Sequence, residues 1–254
     1  MIYTTLILFV LNFHIPSCFD YSKISNIESL KNQKLLYQPK TVMFHNIDDV
    51  GKSTWLWYEL TYSPGKLKDF LYFLKKNNVK TLTFKDVMLI ELWIEKKPKK
   101  WVILTFDDGY ESMYTKVLPL LKKYNQKAVF FIIVNKIWKK WYMTKEQIKE
   151  LLKNWNEIWS HTMNHRPLSG LDYKNQFYEI VNSKKELEKM FKTRIISFCF
   201  PSGKYNKTTL NIVSKYYFYA RSVNTYSKWR YQIWTIRTNP SFLPYKLLKE
   251  ITKK

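Results

Sequence analysis

Apolar positions along this chain follow two alternating rhythms. Trp101-Val-Ile-Leu-Thr-Phe106 and Ala128-Val-Phe-Phe-Ile-Ile-Val134 are near-continuous apolar runs bounded by polar residues. Such runs are the signature of strands covered on both faces. Shorter strands are predicted at Thr41–His45, Val79–Phe84, Glu157–Ser160, Arg194–Phe200, Tyr219–Val223 and Tyr231–Ile236. Between them the spacing changes. Leu67, Phe70, Leu71 and Leu74 recur at helical intervals after Pro64-Gly65, a start signal followed by an amphipathic face. Further helices are predicted over Lys85–Leu92, Ser112–Tyr124, Thr144–Leu152, Asp172–Phe191 and Lys207–Tyr216. Thr144 with Gln147 three residues on has the form of a capping box.

Strands alternating with helices require crossovers, and crossovers give parallel pairing. The expected class is α/β, a (β/α) barrel of about seven repeats; a doubly wound open sheet is the alternative. In either fold, functional side chains gather where strands end. His45, the pair Asp107-Asp108 and His161 each follow an apolar run, so chain order places them on one rim.

The N-terminus, Met1 to Leu11, is apolar but too short to span a bilayer with ease. It reads as a secretory segment with small residues near Ser17-Cys18, and Ile15-Pro-Ser-Cys18 resembles a lipoprotein cleavage box. A buried first strand is the competing reading. The organisation expected is a leader over 1–18, a polar spacer over 19–40 and one domain over 41–254, with association to a membrane or envelope through the N-terminus.

Composition adds limits. Hydrophobic residues make up 46% of the 254, enough for a full core and against disorder. Lys+Arg 43 against Asp+Glu 20 gives +23. The basic residues are dispersed rather than gathered in a tail, which argues for biased composition over nucleic-acid binding. Two cysteines, Cys18 and Cys199, form no CxxC pair, excluding a zinc ribbon and a disulfide framework. Cys199, inside Ile195-Ile-Ser-Phe-Cys-Phe200, is expected as a core thiol.

The chemistry lies in Thr105-Phe-Asp-Asp-Gly-Tyr110 and Ser160-His-Thr-Met-Asn-His165. Adjacent carboxylates in extended chain point different ways, so one can bind a metal while its neighbour faces water. Histidines four apart fall on one side of a helical turn and can share an ion. Three of the four histidines sit at a predicted strand end. One Asp and two His leave open positions on the ion, which favours Zn²⁺, or Co²⁺, Ni²⁺ or Fe²⁺ completed by waters.

These two segments, with Phe200-Pro-Ser-Gly-Lys-Tyr205, resemble the first three motifs of the polysaccharide deacetylases, the carbohydrate esterases with a NodB-type homology domain. The resemblance runs from about Val42 to Ile236. It implies a distorted (β/α) barrel and metal-dependent removal of acetyl groups from a polysaccharide substrate. By position, Asp107 matches the catalytic base, and Asp108, His161 and His165 match the metal ligands. Pro201, Ser202 and Gly203 match a loop whose backbone N–H helps hold the oxyanion, with Tyr205 beside it. No histidine follows His165, so the family's late acid is missing. Val42-Met-Phe-His-Asn-Ile47 instead resembles the early histidine motif of a circularly permuted branch that includes poly-N-acetylglucosamine deacetylases, and this assigns the acid role to His45. Arg237 resembles a late arginine that orients the base; a surface arginine is the alternative. Ser202 replaces an aromatic usual in the family loop, and Trp159 stands where glycine is usual. Both departures suit a second reading, a glycan-binding protein of the same fold with weak or no turnover. Tyr110, Trp138, Trp141 and Tyr205 are candidate sugar platforms near the rim.

Overall fold

Along the main sheet the even-numbered strand residues pack into one hydrophobic cluster and the odd-numbered ones into another, and this parity positions the site. The computed structural model describes residues 40–49, 60–92 and 94–223, and the backbone of 235–237. The expected leader and spacer, apart from Lys40, and residues 231–234 of the last expected strand lie outside the described residues.

The strands are β1 (Thr41–Phe44), β2 (Asn46–Ile47), β3 (Thr61–Tyr62), β4 (Lys80–Thr81), β5 (Trp101–Phe106), β6 (Val129–Ile132), β7 (Glu157–Ser160), β8 (Ser197–Cys199), β9 (Tyr219–Arg221) and β10 (Thr235–Arg237). The main sheet runs β10-β1-β5-β6-β7-β8-β9, with β4 pairing the start of β5 and β2 pairing β3 apart from it. Every pairing between these strands is parallel. The registers Phe44↔Phe106 and Ile132↔Ser160 bring neighbouring strands to an end at matching heights. The sheet curls into a distorted (β/α) barrel, as the strand–helix alternation predicts.

The helices are α1 (Pro64–Lys76), α2 (Phe84–Glu91), α3 (Leu118–Tyr124), α4 (Lys145–Lys153), α5 (Tyr173–Phe177), α6 (Ser183–Phe191) and α7 (Lys207–Tyr216). Leu67, Phe70, Leu71 and Leu74 are all buried on α1. The capping box at Thr144 and Gln147 forms, with both reciprocal bonds at 2.8 and 3.2 Å. Val79–Phe84 is shorter as a strand than its alternation suggests. Thr83 accepts from the Asp86 N–H at 3.2 Å and caps α2, so helix initiation wins over strand extension. The long helix expected over Asp172–Phe191 carries a π-helical segment, Tyr178–Asn182, between α5 and α6. A second π segment, Met113–Val117, precedes α3.

Along β5, Val102, Leu104 and Phe106 join one hydrophobic cluster beneath the outer helices, while Ile103 joins a second with Val129, Phe131, Trp159, Cys199 and Tyr219. Alternation of side chains across a strand produces this division. The second cluster fills the concave side of the sheet, and Phe84, Val87 and Met88 of α2 close it. Trp159 is fully buried there, 4.0 Å from the Phe84 ring centroid. It fills the core and does not narrow a pocket.

Candidate active site

Continuing the odd parity past the strand ends predicts the site. Thr105 gives way to Asp107 and Trp159 to His161 beyond their strands, and Tyr219 to Arg221 at the last position of β9, all on the concave face. His45 follows β1 at the same rim. The structure brings Asp107, Asp108, His45, His161 and His165 together.

Nε2 of His161 and Nε2 of His165 each lie 3.4 Å from Oδ1 of Asp108. Three ligands about 2.0–2.1 Å from a tetrahedral ion stand about 3.3 Å apart, so the spacing fits a single cation. Oδ1 of Asp108 is buried without a hydrogen-bond partner among the described residues, a costly state for a carboxylate unless a cation compensates it. Nδ1 of His161 lies 2.9 Å from the Cys199 carbonyl. A carbonyl can only accept, so Nδ1 carries the proton and Nε2 turns its lone pair to the site.

Electrostatics agree. Burial alone would raise the Asp108 carboxyl, but contact with His161 and the charges of His45, His161 and His165 hold it well below the usual carboxylate range. Burial, reinforced by the charge of His161, lowers the His165 imidazole to about 4. Burial works against a proton on His161, yet Cys199, Asp108 and Asp107 raise it well above its ordinary value. Surroundings that favour a proton there favour a divalent cation in its place.

The two histidines do not sit on a helical turn, as their spacing suggests. They lie in a loop in which Thr162 and His165 adopt left-handed backbone, at φ 71° and 61°. His165 N–H donates to Thr162 Oγ1 at 2.8 Å. Between them, both donors of Asn164 reach the buried Glu179 at 2.8 Å. Glu179 belongs to the π segment Tyr178–Asn182, one of the helical irregularities that recur at functional sites. The other π segment follows Ser112. Its hydroxyl donates to Asn46 Oδ1 at 2.8 Å and accepts from the Ile47 N–H at 3.2 Å, which anchors the residues after His45. Asp108 and Gly109 also take positive φ, 79° and 82°.

Asp107 lies apart from the three-ligand group. Nε2 of His45 is 3.8 Å from its Oδ2, and Arg221 donates to the same oxygen. Arg221 is fully buried, and its Nη2 also contacts Cys199 Sγ at 2.8 Å. Burial would lower the arginine, but Asp107 and Cys199 raise it and keep it charged. Asp107, His161 and Cys199 are also close enough to form a second metal-binding set. The guanidinium occupies that corner, and His161 Nδ1 is committed to a carbonyl, so the set with Asp108 is the better cation site.

Arg221 was not foreseen. The expected partner, Arg237, is described only as backbone in β10, opposite Met43. The signal that finds Arg221 is parity: it stands two residues after Tyr219 on a strand expected to be buried, where a lone arginine needs a carboxylate. Cys199 is buried as expected, but it touches the site as well as the core.

Pro201–Gly203 forms a single 3₁₀ turn after β8 with Ser202 at φ 53°. The Gly203 N–H closes onto the Phe200 carbonyl at 2.9 Å and Lys204 N–H onto Pro201 at 3.1 Å. Ser202 is exposed. Tyr205 is half-buried against Phe200, ring centroids 4.8 Å apart, and serves packing more than an open platform. Trp138 and Trp141 are exposed.

Fold and site together define a parallel (β/α)-barrel protein carrying a candidate metal centre on its carboxyl rim. The chain belongs to the polysaccharide deacetylase family, whose sequence model matches residues 94–220. It is 38% identical over 174 residues to the protein YxkH of Bacillus subtilis, covering 68% of this chain and 60% of that one; the match thus spans less than two-thirds of this relative's length. It is 26% identical over 249 residues to the poly-beta-1,6-N-acetyl-D-glucosamine N-deacetylase of Staphylococcus aureus, covering 85% and 84% of the two chains. The structure is similar to that of the deacetylase PplD of Streptococcus pyogenes, solved in complex with acetate, with a TM-score of 0.79 and 27% identity over 85% of this chain and 99% of that one.

Proposed function

We propose that the protein is a metal-dependent hydrolase that removes N-acetyl groups from an N-acetylglucosamine-containing polysaccharide outside the cytoplasm. The observation that carries this reading is the placement of Asp107, tethered through one oxygen, beside the group Asp108, His161 and His165.

Asp108, His161 and His165 would hold the cation, with Zn²⁺ preferred for this ligand set and Co²⁺, Ni²⁺ or Fe²⁺ as alternatives. Such an ion, when bound, polarises the acetyl carbonyl and acidifies the attacking water. Asp107 takes the proton of that water at Oδ1, the oxygen left free by Arg221. Arg221 holds the carboxylate aimed. His45, on the flank of Asp107, delivers a proton to the nitrogen as the C–N bond breaks, so that acetate and a free amine leave. With Gly203 and Lys204 amides committed to the turn, the Ser202 N–H is the loop donor proposed to meet the charge growing on the acetyl oxygen.

The relatives support an N-acetylated glycan as substrate class, and an extracytoplasmic place of action. Poly-N-acetylglucosamine, chitin-like chains and peptidoglycan share the required group. Among the described residues no helix is long and apolar enough to cross a membrane. The glycan-binding alternative loses one of its supports, because Trp159 lies in the core, and keeps the exposed Ser202. An acetate-release assay over a panel of β-1,4- and β-1,6-linked oligomers, with and without chelator, tests the proposal. Release that stops with chelator and returns with zinc is expected; binding without release on every glycan overturns it.

A further inference from the structure

At the amino ends of the strands, opposite the catalytic rim, a cavity of about 570 Å³ opens between β4, the end of α3 and the turn that joins α4 to β7. Its size is that of small-ligand sites. Lys80, Lys122, Gln126, Lys127 and Trp155 are among its walls, and no carboxylate of the described residues lines it. Trp155 is 85% exposed, more than any other large apolar side chain among the described residues. It stands at φ 61°, the left-handed position after a helix that glycine usually takes.

The turn imposes that backbone. Trp155 N–H donates to the Leu152 carbonyl at 3.2 Å and Asn156 N–H to the Leu151 carbonyl at 3.3 Å. The Asn156 side chain donates to the Leu151 and Asn154 carbonyls, both at 3.1 Å, and accepts from the Ala128 N–H at 2.9 Å. The indole is thus fixed to the sheet and still open to water. A second wall is built as firmly. Gln126 Oε1 accepts from the Thr81 N–H at 3.3 Å and from Thr81 Oγ1 at 2.8 Å, and Thr81 Oγ1 accepts from the Lys127 N–H at 2.8 Å. Gln126 Nε2 has no hydrogen-bond partner among the described residues.

Charge completes the picture. Lys127 Nζ lies 2.7 Å from Asp86 Oδ1 and is neutralised. Lys80 and Lys122 are exposed and form no ion pair among the described residues. Their ammonium groups select an anion, the Gln126 amide offers a donor to a hydroxyl, and the indole offers a flat apolar face to the C–H side of a sugar ring. A nucleic acid asks for a groove that follows the backbone and stacks successive bases, which one ring over a bounded cavity does not supply.

We propose that this cavity is a second, non-catalytic site for an acidic saccharide, a sugar unit carrying a carboxylate or a phosphate, with Trp155 as its stacking face and Lys80 and Lys122 as its anion contacts. The site does not depend on the deacetylase reading. It lets the chain hold an anionic glycan at one end of the barrel while the opposite rim works on another strand.

The test is isothermal titration calorimetry of the full-length chain, with zinc present and again with chelator. The probes are trigalacturonate, glucose 6-phosphate and neutral cellotriose, none of which carries an acetamido group. At least one acidic probe is expected to bind about tenfold tighter than cellotriose, as hydrogen bonds to charged groups allow. Its affinity is expected to fall about tenfold in Trp155→Ala, the worth of one well-stacked ring, to return in Trp155→Phe, and to fall at least as far when Lys80→Gln and Lys122→Gln are combined. Binding of trigalacturonate or of glucose 6-phosphate tells a carboxylate ligand from a phosphate one. Failure of both acids to bind, equal affinity for cellotriose, or acid binding unmoved by these variants overturns the site. So does acid binding that is lost with chelator, which places the probe on the cation. A tighter grip on oligothymidylate than on either acidic sugar, weakened by the same variants, also overturns it and assigns the cavity to nucleic acid. Acetate release plays no part in these readouts, so they stand or fall apart from the deacetylase reading.

Discussion

Arg221 donates to Oδ2 of Asp107, while Oδ1 of the same carboxylate is buried with no hydrogen-bond partner among the described residues. One arginine thereby divides a carboxylate into a tethered oxygen and a free one. The tethered oxygen fixes direction, and the free one is available to take a proton.

Replacing Arg221 with Met leaves the Asp107 charge buried and alone. Breaking such a pair costs about 3–5 kcal/mol, so urea unfolding is expected to show a loss of that order together with loss of acetate release. A stability change under about 1 kcal/mol would contradict the pairing.

Asp107→Asn keeps the shape and removes the base. Acetate release is expected to fall by about 10²–10⁴, while zinc affinity, measured by competition with a chromophoric chelator, stays at the wild-type value. Loss of zinc with the mutation would make Asp107 a ligand.

His161→Ala and His165→Ala are each expected to weaken zinc binding by more than about a hundredfold, beyond what outer-lying partners contribute. Cys199→Ser is expected to leave zinc affinity unchanged. Zinc lost in Cys199→Ser but kept in His165→Ala would favour the set formed by Asp107, His161 and Cys199.

Glu157 lies at the other end of β7, where burial raises its carboxyl from 4.5 to about 7 despite a 3.2 Å hydrogen bond from the Lys85 N–H. The folded chain therefore binds a proton that the unfolded chain releases between those values. Its contribution is fully present below pH ~4.5 and is lost as the pH rises through ~7, at most about 3 kcal/mol in all. In Glu157→Gln, the fall in unfolding free energy between pH 5 and pH 8 is expected to shrink by up to that amount. An unaltered pH dependence would show that Glu157 is ionised throughout.

Gly203 stands at φ 67°, and a Cβ there would meet Val223, its backbone N included at 3.2 Å. Gly203→Ala is expected to cost about 1–3 kcal/mol and to shift the Ser202 turn, read as a lowered melting temperature and reduced kcat. A variant with native stability and kcat would mean the turn accommodates the methyl.

Much of this was legible in the chain. Trp101–Phe106, Glu157–Ser160 and Lys207–Tyr216 have the predicted bounds, because a doubly covered strand and a capped amphipathic helix leave strong local patterns. His45, Asp107, Asp108 and His161 were placed on one rim by strand ends, and His165 beside them by its spacing from His161. What sequence spacing could not give was backbone hand. The loop carrying Thr162 and His165 is held through Asn164 by Glu179, a distant partner that no i, i+4 rule encodes. Arg221 was missed because motif reasoning looked to a later arginine, when the alternation across β9 already aimed Arg221 inward.

The imidazole of His161 takes its orientation from a main-chain oxygen at position 199, while the thiol of that residue leans on Arg221. One residue thus serves two neighbours through separable parts. Substitutions at position 199 can retune the guanidinium and the carboxylate it steers while the main-chain oxygen keeps the ring's tautomer.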